Sequence, residues 1–357
     1  MHKESTVDYR NLGQSGLRIS SLTLGTMTFG GVGKMASVGD TGLGDAQRQI
    51  DMAIDHGVNF FDTANMYSEG RSEEILGEAL KAKRDDVLIA SKVRFPMGEG
   101  PNDGGLSRHH ILRQCEASLK RLQTEHLDLY LMHQWDGLTP LEETLATMDQ
   151  LVRDGKIRYY GVSNWSAWHV MKALKICERN NFIEPVCQQI HYTAQARDAE
   201  FELMPAAVDQ GLGTMVWSPL AGGLLSGKYR RGQRNPDGTR FSHGWTEPPI
   251  HDEEKLFDLI DTLVEIADGH GVSAAQVALA WTLTRPGVST AVIGARKDAQ
   301  LKDNLASAEL TLKPDEIAAI EKVSRPALLY PYWHQHNTAA DRFGPADRVL
   351  HANHLGE

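Results

Sequence analysis

Four residues of complementary chemistry stand in the first half of the chain: Asp62, Tyr67, Lys92 and His133. Asp62, Lys92 and His133 close short apolar runs at 59–63, 87–92 and 127–133, and Tyr67 follows Asp62 by five positions. A phenol with a pKa of about 10 is a poor acid at neutral pH, but a neighbouring ammonium stabilises the phenolate and lowers that value. Lys92 is suited to act on Tyr67 in this way, and Asp62 to keep Lys92 charged and oriented. His133 can donate a hydrogen bond where negative charge develops on a carbonyl oxygen. Together the four suit protonation of an alkoxide.

The same residues admit other chemistry. A lysine on a strand can form a Schiff base if its amine pKa is depressed, which an acidic neighbour such as Asp62 opposes. Asp62, His133 and His191 are potential metal ligands, but no HxH or HExxH spacing supports a metal. Taken singly, each has a plainer role: a turn cap, rim packing, one arm of an ion pair, a satisfied core imidazole. Four complementary types at successive strand ends favour a joint role.

Whether they meet depends on the elements that carry them. Apolar, β-branched runs recur at 22–26, 59–63, 87–92, 127–133, 157–164, 186–192, 213–220 and 289–295. Helical periodicity separates them. In 107–122 the residues Ile111, Leu112, Cys115, Leu119 and Leu122 form one face behind a capping Ser107, and 72–81 and 141–155 read alike. Alternating strands and helices require parallel strands with right-handed crossovers, and about eight units close most naturally into a (β/α)8 TIM barrel. An open doubly wound sheet is the alternative. In the barrel, strand ends point into one cup.

Segment 9–20, around Gln14-Ser15-Gly16, is expected to form a capping hairpin, and 253–270 an extra surface helix. Segments 94–105 and 230–249 are expected to be long rim loops. Residues 1–357 read as a single domain, with a core of about 12–323 and a tail, 324–357, that lacks periodicity. Tyr332, Trp333 and His336 in that tail either close the site or meet another subunit, so a homo-oligomer stays open.

Two glycine-rich motifs mislead. Gly31 to Ala36 fits a relaxed GxGxxG/A pattern, but the residues after it cannot open the helix that pyrophosphate binding requires. Gly222 to Lys228 fits GxxxxGK, yet Tyr229 stands where a Mg²⁺-binding hydroxyl belongs.

Composition narrows the partners. Lys and Arg number 37 against 47 Asp and Glu, a net charge of −10, which argues against a general binder of nucleic acid or anionic membranes. No stretch approaches the roughly 18 apolar residues of a membrane span, and residues 1–10 lack a signal-peptide core. Cys115, Cys177 and Cys187 show no CxxC spacing, which fits a reducing, cytoplasmic compartment.

Asp62-Thr63-Ala64-Asn65-Met66-Tyr67, Lys92 and His133 resemble the Asp, Tyr, Lys, His tetrad of the aldo-keto reductases, in the bacterial-type branch similar to potassium-channel beta subunits. Gly161-Val162-Ser163-Asn164 resembles that family's fifth-strand signature, and Gln189 with Tyr192 its sixth. The resemblance implies that Ser163, Asn164 and Gln189 hold a nicotinamide carboxamide, whose donor and acceptor such side chains can match. The segment from Trp217 to Lys228 resembles the strand-seven loop that wraps the cofactor. It implies stacking by Trp217 and contacts from Ser218, Pro219, Leu220, Gly222, Leu225, Gly227 and Lys228, with Gly25, Thr26 and Met27 also at the cofactor. Ile293-Gly294-Ala295-Arg296-Lys297, with Gln300 and Asn304, resembles the adenosine-binding segment. Arg296 and Lys297 would match a 2′-phosphate dianion and so favour NADPH.

The implied activity is NADPH-dependent reduction of aldehydes or ketones with Tyr67 as proton donor. The alternative is an NADPH-binding redox sensor or regulatory subunit with slow turnover. Phe29, Phe95, Trp135 and Trp165, with Met27 and Met66, are the expected walls for a small-molecule carbonyl substrate, an apolar cup suited to aromatic or medium aliphatic aldehydes.

Overall fold

Eight parallel strands close into a barrel, as the alternation of elements predicts. They are β3 (Leu22–Gly25), β4 (Phe60–Asp62), β5 (Leu88–Val93), β6 (Leu127–Met132), β7 (Ile157–Ser163), β8 (Cys187–His191), β9 (Gly213–Trp217) and β10 (Val288–Ile293), with β10 pairing back onto β3. The computed structural model describes residues 7–232, 239, 241 and 246–355. The parts of the expected rim loop at 233–238, 240 and 242–245 lie outside the described residues.

An antiparallel hairpin, β1 (Tyr9–Asn11) and β2 (Arg18–Ser20), precedes the barrel. Its Leu12 and Ile19 are fully buried and cluster with Phe60, Ala90, Leu129, Leu131, Cys187 and Met215, so they plug the barrel floor. At Gly13 (φ +60) a Cβ would lie 2.5 Å from Gly211 O, and the hairpin turn can approach the barrel only because that atom is missing.

The helices around the barrel are α1 (Leu43–Asp55), α2 (Arg71–Leu80), α3 (Arg108–Leu122), α4 (Leu141–Arg153), α5 (Ala167–Asn180), α6 (Leu203–Gln210), α7 (Glu253–His270), α8 (Ala274–Leu283) and α9 (Asp298–Ala306). Ser107 accepts from His110 N at the start of α3, as expected of an N-cap. The extra helix α7 has the expected bounds; Asp252 caps it and Gly271 (φ +68) ends it. Its buried Leu256, Ile260 and Leu263 face α10 (Pro314–Ser324) and α8.

Neither misleading motif opens a long helix. Gly33–Met35 is a single 3-10 turn, and Ala221–Ser226 is a kinked 3-10 turn with left-handed Gly222 and Gly223.

The tail differs from its expectation. It holds α11 (Tyr332–Ala339) and α12 (Arg348–His351), with Val349 and Leu350 buried against the barrel shell. Elements this short repeat no apolar face, and α12 is ordered by docking on α6, so no periodicity could reveal them. No described tail residue lines the main cavity at the barrel mouth.

Where the tail leaves α10, a buried charge network joins it to the barrel. Arg197 pairs with Glu200 (2.9 Å) and Glu321 (2.8 Å), Tyr192 donates to Glu200 (2.5 Å), and Arg285 pairs with Glu321. Both guanidinium groups lie over the Trp281 ring, that of Arg197 at 5.4 Å and that of Arg285 at 5.1 Å.

Candidate active site

The C-terminal ends of the strands surround a cavity of about 820 Å3. Asp62 ends β4 and Lys92 lies in β5, both with their heads inside the barrel. Lys92 is fully buried, and its Nζ donates to Asp62 Oδ1 (2.5 Å), Thr63 O (2.8 Å) and Tyr67 Oη (3.3 Å). Gln189, in β8, donates to Asp62 Oδ2 (2.8 Å), so both carboxylate oxygens are engaged.

Tyr67 is held by the loop that follows β4. Thr63 N donates to Ala90 O, Asn65 N to Lys92 O, and Tyr67 N to Ala64 O. The chain then passes through three successive positive-φ residues, Ser68, Glu69 and Gly70. Ser68 Oγ donates to Phe29 O, which anchors this strained turn. His133 follows β6, edge-on to Tyr67 with ring centroids 5.8 Å apart and to Phe95 at 4.9 Å. All four tetrad residues therefore come together, with Asp62, Tyr67 and His133 on the cavity wall and Lys92 behind them.

The electrostatics differ from the sequence expectation at one point. Burial raises the Tyr67 pKa above its ordinary value and outweighs the lowering by Lys92. The phenol therefore stays protonated in the resting site. Burial opposes the charge on Lys92, but Asp62 and Tyr67 outweigh it and hold the ammonium above its usual pKa. With its three hydrogens on three acceptors, that nitrogen has no lone pair for Schiff-base chemistry. Burial, then Lys92, keep His133 well below its usual range, so it is a neutral imidazole.

The rest of the cavity offers what a dinucleotide needs. At one end are Ser163, Asn164 and Gln189; Asn164 Nδ2 donates to His133 O, and Asn164 Oδ1 accepts from Trp217 Nε1 (2.9 Å). Gly25, Met27, Trp217, Ser218, Pro219, Leu220 and Gly222 form the middle of the wall. At the other end stand Lys228, Gly294, Arg296, Gln300 and Asn304, two cations suited to phosphates. Gly25 must lack a side chain, since a Cβ there would lie 2.8 Å from Val292 Cγ1.

Several expected contacts lie elsewhere. Thr26 is fully buried behind the wall, bonded to Asp62 O and Ser72. Leu225 packs in the hydrophobic core, and Gly227 (φ +75) ends the 3-10 turn against Ala274. Lys297 is exposed beside the site and is not part of its wall. Among the substrate walls only Phe95 lines the cavity, joined by Met27 and Met66. Phe29 is fully buried under the Tyr67 turn. Trp135 lies flat on His169 (3.7 Å) and meets Trp165 edge-on (4.8 Å), an aromatic cluster beside the mouth rather than in it.

Other wall residues went unassigned. His191 shares the inward face of β8 with Gln189, two positions away, so period-two alternation could have placed it there. Met35 arrives from the glycine-rich segment after β3. Glu247, Pro248 and Pro249 fold over Gly222, where a Cβ would lie 3.0 Å from Glu247 O, and no sequence signal marks that contact.

The aldo/keto reductase family model matches residues 21–325. The chain is 39% identical over 331 residues to the uncharacterized oxidoreductase YrpG of Bacillus subtilis, covering 89% of this chain and 96% of that one. It is 36% identical over 328 residues to a probable voltage-gated potassium channel subunit beta of Arabidopsis thaliana, with the same coverage. A putative subunit of that kind from Schizosaccharomyces pombe is 37% identical over 329 residues, covering 89% and 93%.

Proposed function

Because the chain belongs to the aldo/keto reductase family, we propose that it is an NADPH-dependent reductase of aldehydes or ketones with Tyr67 as the proton donor. The observation that carries this reading is the Lys92 ammonium, spent on Asp62, Thr63 O and Tyr67 Oη. Tyr67 accepts from Lys92 and keeps its own proton for the cavity.

The dinucleotide, when bound, supplies the hydride. Ser163, Asn164 and Gln189 orient its carboxamide, Trp217 offers a stacking face, and Lys228 and Arg296 meet its phosphates. His133, neutral and beside Tyr67, donates to the substrate oxygen and fixes the carbonyl within reach of the phenol. As negative charge grows on that oxygen, Tyr67 Oη releases its proton to it, and Lys92 stabilises the phenolate left behind. The apolar side chains of Phe95, Met27 and Met66 limit water around the reacting carbonyl.

The pH dependence follows from these states. Reduction needs protonated Tyr67 and charged Lys92, and both pKa values are raised. We expect kcat for reduction to be flat across neutral pH and to fall only above about pH 10, the ordinary phenol value. Alcohol oxidation, which needs the phenolate, should rise with pH. A reduction limb falling through pH 7 would overturn the assignment of the acid.

Cofactor preference rests on Arg296. Arg296→Ala should weaken NADPH binding by roughly tenfold or more, the worth of a charge-assisted hydrogen bond, and leave NADH nearly unchanged. Equal losses for both in fluorescence titrations would remove the 2′-phosphate role.

The relatives named as potassium channel beta subunits support the second reading, an NADPH-binding redox sensor. NADPH oxidation with a panel of aldehydes, including a nitrobenzaldehyde and a short sugar aldehyde, separates the two. Aldehyde-dependent turnover supports the reductase, whereas retained NADPH with negligible turnover supports the sensor. Three buried, unpaired cysteines accord with a reducing cytoplasmic setting.

A further inference from the structure

His191 is a polar residue of the cavity wall that the proton-transfer chemistry does not use. It ends β8 directly opposite Trp217, which ends β9. The two rings stand 4.6 Å apart at 56°. Its Nε2 is buried and has no hydrogen-bond partner among the described residues. Burial lowers its pKa to about 4, so at neutral pH it is an uncharged ring.

Behind this ring lies a second cavity of about 360 Å3, walled by Trp165, Ile190, Asp198 and Leu203 among others. Asn164 and His191 belong to the walls of both cavities, whereas Trp217 lines only the larger one. Asn164 holds the indole by its edge, through the bond from Trp217 Nε1. Only one point of the indole is fixed by that bond, and the ring could still turn about it. His191 packs beside the indole, and the second cavity adjoins its ring.

We propose that His191 is a positioning residue for Trp217: its ring partitions the two cavities and stops the indole from turning into the second one. The face of Trp217 is thereby kept toward the larger cavity. This inference rests on the reading of Trp217 as the stacking partner of the nicotinamide. The role is one of shape and aromatic contact, so phenylalanine can fulfil it and alanine cannot. An aromatic contact of this kind corresponds to roughly a three- to tenfold change in an equilibrium.

The test compares His191→Ala, His191→Phe and the wild-type protein, with Trp217→Phe identifying the Trp217 contribution to near-ultraviolet circular dichroism. In cofactor-free protein, His191→Ala should lose the Trp217 band and His191→Phe should keep it. NADPH should bind His191→Ala roughly three- to tenfold more weakly, with less energy transfer from tryptophan, and bind His191→Phe as it binds wild type. If His191→Ala folds poorly, His191→Thr, β-branched and suited to a strand end, carries the same expectation. A retained Trp217 band or unchanged NADPH affinity in His191→Ala, or a His191→Phe variant as impaired as the alanine one, overturns the proposal. Should wild type bind no NADPH, the cofactor reading fails, and the cofactor-free spectra alone decide whether His191 orders Trp217.

Discussion

Tyr67→Phe is expected to lower kcat for aldehyde reduction by roughly 10²- to 10⁴-fold, the contribution of a positioned general acid, while NADPH binds as tightly as before. In the proposed mechanism that oxygen would meet the substrate carbonyl and not the dinucleotide, so the effect of removing it would belong to the transition state. It also strips Lys92 of its weakest acceptor, at 3.3 Å, but leaves Asp62 Oδ1 and Thr63 O. The buried ion pair therefore survives, and unfolding should shift little by comparison with the rate. Steady-state kinetics at saturating NADPH, beside a fluorescence titration of the cofactor, give both numbers. Turnover equal to wild type would exclude Tyr67 as the acid.

Arg197→Met should cost about 3–5 kcal/mol of stability, the penalty for leaving a buried charge without its partner. Burial opposes the Arg197 charge, but Glu200, Tyr192 and Glu321 outweigh it and raise its pKa. Removing the guanidinium leaves Glu200, wholly buried, with the Tyr192 hydroxyl and with Arg285 at 3.9 Å as its side-chain partners among the described residues. Adding Glu200→Gln to Arg197→Met should recover a large part of the loss, because the stranded charge goes with it. Urea unfolding of the single and double variants measures the difference. A single-variant loss below about 1 kcal/mol, typical of exposed pairs, would mean that the network does not tie the α10 end to the barrel. None of these residues lines the cavity at the barrel mouth, so turnover well below the unfolding transition should be unaffected.

Much of this molecule was legible in the sequence because strand position and residue type are local. The alternating runs marked all eight barrel strands, and the boundary errors are one to three residues, as with 59–63 against Phe60–Asp62 and 213–220 against Gly213–Trp217. A barrel converts strand-end position into convergence, so Asp62, Lys92 and His133 could be brought together before any coordinates. The N-cap Ser107 is an equally local signal. Phe29, Trp135 and Trp165 were misjudged for the converse reason. An aromatic residue near a strand end reads alike whether it faces the cavity, lies under the Tyr67 turn, or stacks on His169. Only packing separates these cases.

The sequence by itself determined the alternation of eight strands with helices, which favours a barrel, and the four chemical types at the strand ends, since these follow from periodicity along a covalent chain. Tertiary structure decided what those groups are: a phenol kept protonated by burial despite its lysine neighbour, an ammonium with all three hydrogens committed, a neutral histidine, and a tail docked on α6. Burial and distance control desolvation and Coulomb energy, and neither quantity exists until residues far apart in the chain are brought into contact.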